Sequence, residues 1–385
     1  MRAAICFMEI GDVRYDGRSY NMATSLSRAG HAVRFIVTGD KNSRVELEQI
    51  DLVQLGVRRW FWSKLYFLHY YLKLIPAAFS ARADLYVSAD LFSLPIAYLV
   101  ARVRGARVVY DAKEFYFATA ALKDRPHTQR FWAWVEGLFV KRVDGITVAG
   151  EDDSRIVAQR YGVPPPTPIL NHPPYVAKVE RSQKLRQELS IPPEKKIILY
   201  QGGLQSGRGL FLSLDVLVHL PDSVLVFLGE GHLKGELSRT ISAQGLEGRA
   251  FIRERVEYPN LIEYTGSADI GLALVEDYGL SYRYARPNKL FEYVMAGVPV
   301  VVTNFPVMRE VVERYDVGVA VDLAEPAAIA RVIDAILKDA NRYRRLVENC
   351  RSAAKVLCWE KEEPKFLALI QSVLKPGMEP QPLQG

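Results

Sequence analysis

The chain has 385 residues, more than one ordinary domain, and its 49% apolar share is enough to fill two cores. It carries 50 Lys and Arg against 44 Asp and Glu, and residues 1–180 hold the whole excess of +6. We therefore expect the first half to favour acidic or phosphorylated partners, or an anionic membrane surface. No nucleic-acid motif accompanies the charge, so we expect no nucleic-acid partner.

Several classes of protein are disfavoured by what the sequence lacks. No run of about 18 uncharged apolar residues is present, which argues against a membrane-spanning helix. The first residues read directly into a strand and show no signal-peptide pattern. The cysteines Cys6, Cys350 and Cys358 form no cluster, and no pair of the six histidines has metal-ligand spacing. We expect a cytoplasmic chain with reduced thiols and no metal site.

Strand-like and helix-like segments alternate along the chain, which predicts parallel α/β sheets. In the first half the predicted strands are 3–8, 33–37, 84–88, 107–110 and 145–148, with a helix over 19–29. In the second half they are 196–200, 223–228, 270–274 and 298–302. An amphipathic stretch over 359–374 predicts a final helix.

A proline-rich linker divides the chain. Six prolines lie within residues 163–174, and proline is excluded from helix interiors and central strands. We therefore place the domains at 1–172 and 173–358, followed by a helix over 359–375. The tail 376–385 has a composition typical of disorder.

Residues 58–75 combine aromatic side chains with Arg58, Arg59, Lys64 and Lys73. This mixture is typical of helices that bind the membrane interface. It also fits an amphipathic helix packed on the first sheet with its cations exposed. The sequence leaves both interpretations open, and the first predicts contact with the inner leaflet.

A glycine-rich loop follows the strand 196–200. It contains Arg208 and four glycines, namely Gly202, Gly203, Gly207 and Gly209. Glycines let a backbone approach a diphosphate closely, and the helix predicted over 210–220 offers free N–H groups at its start. Arg208 would neutralise charge on a leaving diphosphate. A plain βα turn with a surface arginine is the alternative. Gly229 and Gly231 form a further turn after the strand 223–228, which fits either a nucleotide-binding turn or a purely structural one.

The most informative stretch is 286–303. Pro287 suits a helix start, Gly297 suits the left-handed position just past the helix end, and a buried strand follows. The polar residues Asn288, Lys289 and Glu292 fall in the first turns of that helix. A cation at a helix start can hold a phosphate, and a carboxylate one turn later can accept from ribose hydroxyls. The pattern indicates a nucleotide-sugar site.

This stretch, with its Glu292 and Ala296-Gly297-Val298-Pro299-Val300, resembles the donor-binding signature of the retaining GT-B glycosyltransferases of family 4. The resemblance implies an α/β fold of two Rossmann-like domains facing across a cleft, with a C-terminal helix crossing back to the first. It implies transfer of a hexose-type sugar from a UDP- or GDP-linked donor to a glycan or lipid-linked acceptor, with retention and without a cofactor or metal.

The resemblance also assigns residues. Arg208 and Lys289 would stabilise the leaving diphosphate, and Glu292 would hold the ribose. The other donor-site candidates are Gly202, Gly203, Gly207, Gly229, Gly231, Asn288 and Leu290. In the first domain Asp111 and Glu114 are catalytic candidates within Asp-Ala-Lys-Glu, and Asp16, Arg18 and Asp90 are further candidates near them.

Three positions depart from the family pattern. Tyr284 stands where many members have the first of two glutamates, Gly203 where they have an arginine, and Lys113 where they have a histidine. Glu276 and Asp277 lie near enough in sequence to replace the missing glutamate. These departures keep a non-catalytic sugar-nucleotide-binding subunit open as an alternative, together with a nucleotide-sugar epimerase.

Overall fold

The computed structural model describes residues 2–39, 50–57, 63–113, 125–177 and 181–375. The chain divides into two compact units. The first contains the residues up to Asn171 together with those from Trp359 onward, and the second runs from His172 to Cys358. The predicted tail 376–385 lies outside the described residues.

The first unit is built on a seven-stranded sheet in the order β3-β2-β1-β4-β5-β6-β7, and every described strand pair is parallel. Its strands are β1 (Ala4–Glu9), β2 (Ala32–Val37), β3 (Ile50–Gln54), β4 (Leu85–Ser88), β5 (Arg107–Ala112), β6 (Gly145–Val148) and β7 (Thr167–Pro168). Its helices include α1 (Gly17–Arg28), α2 (Ser63–Ser80), α3 (Leu94–Arg104), α4 (Pro126–Phe139) and α5 (Glu151–Tyr161).

Strand β1 shows why this sheet is covered on both faces. Its side chains alternate between two cores, because successive strand residues point to opposite sides. Ile5 and Phe7 pack in one core with α1, whereas Cys6 and Met8 pack in the other with residues of α2 to α5. A strand buried on both sides reads as a continuous apolar run, which is the pattern that predicted it.

The second unit contains a six-stranded parallel sheet in the order β10-β9-β8-β11-β12-β13. Its strands are β8 (Lys196–Gln201), β9 (Ser223–Leu228), β10 (Ala250–Arg253), β11 (Ile270–Ala273), β12 (Val300–Thr303) and β13 (Gly318–Val321). Its helices are α6 (Lys184–Glu188), α7 (Leu210–Val218), α8 (Lys234–Ala243), α9 (Tyr258–Thr265), α10 (Leu280–Arg283), α11 (Asn288–Met295), α12 (Pro306–Tyr315), α13 (Pro326–Lys338) and α14 (Ala340–Ala354).

The last helix, α15 (Trp359–Leu374), belongs to the first unit although it follows the second in sequence. Phe366, Ile370 and Val373 are buried in the core that contains Ile5 and Phe7. The helix is also anchored at its start, where the Trp359 indole donates to Ser25 Oγ at 2.8 Å. The helix predicted to return to the first domain is therefore confirmed.

The sequence missed four short strands. β3, β7, β10 and β13 have between two and five residues, and each lies at a sheet edge. Short edge strands carry a weak periodic signal because only part of their surface is buried. One of them, β7, lies inside the stretch predicted as a linker and pairs with β6.

Candidate functional site

Helix α11 forms one wall of the candidate donor site. Pro287 precedes it in an extended conformation, and Gly297 beyond its end has φ +71°, as the sequence predicts. Leu290 is fully buried in the core, where its side chain packs against the sheet. Asn288 is exposed in the first turn. Core packing of the apolar side orients the polar first turn toward the ends of the strands.

Lys289 is the most unusual group of this helix. It is only 8% exposed, and its Nζ lies 3.4 Å from the centre of the Tyr200 ring. The position of a Cβ on Gly202 would lie 3.5 Å from the same Nζ. Burial, reinforced by the positive charge of Arg208, lowers the pKa of Lys289 well below its usual value. The lysine therefore stands beside the glycine loop, at the carboxyl end of β8.

Arg208 lies in the same loop and is half-buried. Its guanidinium carbon is 4.8 Å from the centre of the Tyr282 ring. Tyr282 and Tyr278 also cover Gly207, where an added Cβ would lie 2.7 Å and 3.0 Å from their ring atoms. Gly207 has φ +77°, so both its conformation and its surroundings require glycine. Among the described residues, neither Arg208 nor Lys289 forms an ion pair with a carboxylate.

Glu292 lies one turn after Lys289. Its Oε2 accepts from Gln201 Nε2 at 2.5 Å, and Gln201 Oε1 accepts from the Thr265 hydroxyl at 2.9 Å. Burial raises the pKa of Glu292 to about 7, although the hydrogen bond from Gln201 and the charge of Lys289 oppose this. The chain from Thr265 through Gln201 holds the carboxylate in one orientation.

Two glycines of the next turn pack directly against the glycine loop. A Cβ at Gly229 would lie 1.9 Å from the Gly202 carbonyl oxygen, and one at Gly231 would lie 2.1 Å from the Leu204 carbonyl oxygen. No side chain fits at those distances, so these glycines allow the two turns to touch. Gly203, in contrast, is exposed, and its nearest neighbour is the side chain of Gln205.

Glu276 and Asp277, which the sequence offered as replacements for the missing glutamate, have different partners. The backbone N–H of Gly209 donates to Glu276 Oε1 at 3.0 Å. The Asp277 carboxylate pairs with Arg283 at 2.5 Å. Tyr284 itself is exposed. Glu276 therefore contacts the start of α7, at the edge of the candidate site, whereas Asp277 is engaged in a surface ion pair.

In the first unit, Asp111 forms a buried ion pair with Arg18. Asp111 is 1% exposed, and Arg18 donates to both of its carboxylate oxygens at 2.6 Å and 2.8 Å. Thr147 donates to Oδ1 at 2.7 Å. Both oxygens are thus occupied inside the protein. This arrangement favours a structural role for Asp111 and Arg18, joining α1, β5 and β6.

Lys113, which replaces the family histidine, is also engaged. Its Nζ donates to Glu9 Oε1 at 2.8 Å, Asp16 Oδ2 at 2.7 Å and Ser19 Oγ at 3.3 Å. Asp90 is buried and accepts from the N–H groups of Ile10 and Ser93. Glu114 lies outside the described residues.

Two family models match the chain and leave few residues uncovered. "Glycosyl transferases group 1" matches residues 181–353 of the second unit. "Glycosyl transferase 4-like domain" matches residues 18–173, nearly all of which lie in the first unit. The chain therefore belongs to the glycosyltransferase family that these two domain models describe. The matches cover the glycine loop and all of α11, the two elements that form the candidate donor site.

Two curated relatives carry glycosyltransferase names. The chain is 26% identical over 246 residues to a D-inositol 3-phosphate glycosyltransferase of Xylanimonas cellulosilytica, covering 60% of this chain and 58% of the relative. It is 27% identical over 196 residues to a GDP-mannose-dependent alpha-(1-6)-phosphatidylinositol dimannoside mannosyltransferase of Mycobacterium tuberculosis, covering 49% and 47%. The chain thus spans about half the length of these relatives.

Solved structures support the fold over the full chain. The chain matches the structure of sucrose-phosphate synthase from Thermosynechococcus elongatus with a TM-score of 0.76 at 17% identity. The match covers 97% of this chain and 99% of the synthase chain. The chain also matches Anabaena HepE in complex with UDP-glucose with a TM-score of 0.74 at 16% identity, covering 96% and 100%. The GT-B fold expected from the sequence is confirmed.

Sequence reasoning missed several residues of the candidate site. Tyr200 and Gln201, at the end of β8, contact Lys289 and Glu292. Tyr282 contacts Arg208. A polar residue at the end of a buried strand was a usable signal for Gln201, because ligands gather at that edge of a parallel sheet. Nothing in the local pattern marks the two tyrosines.

Proposed function

We propose that this chain transfers a hexose-type sugar from a UDP- or GDP-linked donor to an acceptor hydroxyl, with retention at the anomeric carbon. The observation that carries the proposal is the pair of cations in the second unit. Burial and the charge of Arg208 lower the pKa of Lys289, the nearby Glu292 carboxylate offsets part of this effect, and neither cation forms an ion pair among the described residues. A buried lysine beside a half-buried arginine is costly unless a ligand brings negative charge.

A diphosphate fits this requirement. It carries negative charge on both phosphates, and the surrounding glycines allow its oxygens to approach the backbone. During transfer the sugar leaves and further negative charge develops on the diphosphate, which cations already in place stabilise without reorganisation. Lys289 and Arg208 would therefore bind the donor and also lower the barrier to its cleavage.

Glu292 would hold the ribose. Its carboxylate is oriented by Gln201, and a carboxylate oxygen is a good acceptor for two neighbouring hydroxyls. The relatives differ in donor, since one is named as GDP-mannose-dependent and one solved structure contains UDP-glucose. The choice between UDP and GDP is therefore left to experiment.

We also propose that a glycan or lipid-linked acceptor binds the first unit, which contacts the inner face of the cytoplasmic membrane through an apolar helix face. None of the helices in the described part of the chain has the length and apolar character to cross a bilayer. Helices α2, α3 and α4 instead expose large apolar side chains, each between 38% and 66% exposed. We define this apolar helix face as Leu65, Leu68, Leu72, Ile75, Leu99, Val103, Phe131 and Trp134.

The charge of these helices supports a membrane partner. The only acidic residue in α2, α3 and α4 is Glu136, which is buried and accepts from the hydroxyls of Tyr110 and Tyr161. Arg102, Arg104 and Arg130 are exposed on the same helices. Exposed apolar side chains beside cations, without exposed acids, match an interface with anionic lipid.

A nucleotide panel tests the donor site. Thermal unfolding is measured with UDP, GDP, ADP and their sugar conjugates on wild type, Arg208→Gln and Glu292→Gln. We expect one base series to raise the wild-type Tm by about 5 °C or more near 100 times Kd. Arg208→Gln should abolish that rise, and Glu292→Gln should reduce it.

Lys234→Met is the matched control for loss of a cation, because Lys234 lies in the same unit and pairs with the exposed Glu254. It should respond to nucleotide as wild type does. No shift with any nucleotide would contradict the proposal. A shift without sugar transfer to any acceptor would favour the non-catalytic subunit.

A further inference from the structure

A cluster of charged groups in the first unit is separate from the donor site. Glu9 is the last residue of β1, and Lys113 directly follows β5. Asp16 precedes α1 and accepts from the Ser19 N–H with its Oδ1, while its Oδ2 accepts from Lys113. These residues share the carboxyl edge of the sheet, where ligands of parallel α/β sheets bind.

Glu9 has an unsatisfied oxygen. It is 4% exposed, and its Oε1 accepts from Lys113. Its Oε2 is buried and has no hydrogen-bond partner among the residues that the structure describes. The hydroxyl of Tyr70 is likewise buried and unpartnered within the described chain. Buried polar atoms are nearly always paired with protein, water or ligand, so both require a polar partner.

The cluster is close to electrically neutral. Burial raises the pKa of Glu9 well above its usual value, so this carboxyl retains its proton more readily than an exposed one. Burial would raise the pKa of Asp16, but the charge of Lys113 and a hydrogen bond with the Glu9 carboxyl outweigh it and lower this pKa. One ionised aspartate then balances one lysine.

The lysine is not available to a further anion. The three donors of its ammonium group match the three oxygens that it contacts, on Glu9, Asp16 and Ser19. A phosphate placed here would meet the Asp16 carboxylate without a free cation. A hydroxyl, in contrast, can both donate and accept, which is what the unpartnered Glu9 oxygen requires.

We propose that Glu9, Asp16 and Lys113 bind an uncharged hydroxyl of a polyol acceptor and reject a phosphate at that position. The inference rests on the proposed function and narrows its acceptor class. The cluster is partly open to solvent, because Lys113 and Asp16 retain 18% and 28% side-chain exposure.

Binding of matched probes tests the proposal. Saturation-transfer NMR with the full chain measures the binding of myo-inositol and glucose and of their monophosphates. Each sample contains the nucleotide that raises the Tm most, or UDP if no nucleotide raises it. Wild type should bind each neutral compound at least about tenfold more tightly than its monophosphate, a difference of about 1.4 kcal/mol. Glu9→Met should weaken binding of the neutral compounds about fivefold or more.

Two variants that each remove one negative charge distinguish an effect of the cluster itself from an effect of the overall charge of the protein. Asp16→Asn keeps an oxygen that can accept from Ser19 but removes the charge beside Lys113, so the monophosphates should gain about fivefold relative to the neutral compounds. Asp51→Asn removes the same charge from an exposed pair with Arg34 in the same sheet, and should leave the ratio within about twofold.

Any of three results would overturn the inference. The first is that wild type binds the monophosphates as tightly as the neutral compounds, and the second is that it binds no polyol. The third is that Asp16→Asn and Asp51→Asn change the ratio of monophosphate to neutral binding equally. Nucleotide stabilisation is measured on the same samples. If it persists while polyol binding fails, only this inference fails, whereas loss of both contradicts the proposed function.

Discussion

Lys289 Nζ and the Tyr200 ring are in contact, with 3.4 Å between the ammonium nitrogen and the ring centre. A cation over an aromatic face gains electrostatic stabilisation without being neutralised. The Lys289 Nζ therefore remains available to an anionic ligand, at a position only 8% exposed. The contact explains how a buried lysine is kept beside the glycine loop when no carboxylate pairs with it.

Replacement of Lys289 should raise the stability of the protein without ligand but abolish its stabilisation by nucleotide. Lys289→Met removes a buried charge but keeps an unbranched side chain that can contact the Tyr200 ring. We expect the free energy of unfolding without ligand to rise by about 1–2 kcal/mol, because the cost of burying the charge disappears. Stabilisation by nucleotide should be lost. Urea unfolding with and without nucleotide measures both effects, and a destabilised apo variant would argue against an unneutralised cation.

Glu292 predicts a pH dependence of stability. Its pKa is raised to about 7 in the folded protein, above the usual carboxyl value of 4.5. Between these values the folded state binds more protons than the unfolded state, so stability from this group is present at low pH and is lost as pH rises through 7. We expect the free energy of unfolding of wild type minus that of Glu292→Gln to fall by about 1–3 kcal/mol from pH 4.5 to pH 8. A constant difference would show that the carboxyl is not perturbed.

The Arg18–Asp111 pair predicts a large structural effect. Asp111→Asn leaves Arg18 buried beside a neutral amide, and loss of one partner from such a pair costs about 3–5 kcal/mol. The control Asp51→Asn breaks an exposed pair and should change stability by no more than about 0.5 kcal/mol. Denaturant unfolding measures both. A stable Asp111→Asn variant that binds nucleotide but transfers no sugar would instead support the catalytic role predicted from the sequence.

The apolar helix face predicts binding to lipid. Leu68→Gln/Leu72→Gln/Trp134→Gln should reduce co-sedimentation with anionic liposomes by about tenfold or more, because each side chain would otherwise bury apolar surface in the interface. Val218→Gln/Val356→Gln changes similarly exposed residues of the second unit and should have little effect. Binding should also weaken with salt. Equal co-sedimentation of both variants with wild type would exclude this face as the contact.

In helix α2, each of the two interpretations of residues 58–75 describes one side of the same helix. Tyr70 and Leu74 are buried against the sheet, as the packed-helix interpretation requires. Leu68 and Leu72 are exposed, as the interfacial one requires. Residues 58–62 lie outside the described part of the chain. An amphipathic pattern specifies that a helix has two faces, but not what covers the second one.

The sequence by itself determined the alternation of strands and helices, the glycine loop and the polar first turn of α11. These features are local, because burial periodicity, glycine and proline act within a few residues of the chain. Only the tertiary structure decided which side chains meet. Asp111 lies 93 residues from Arg18, and Gln201 lies 91 residues from Glu292. Such contacts depend on the order of strands in a sheet, which brings distant segments to one edge and thereby decides whether a carboxylate is occupied or free.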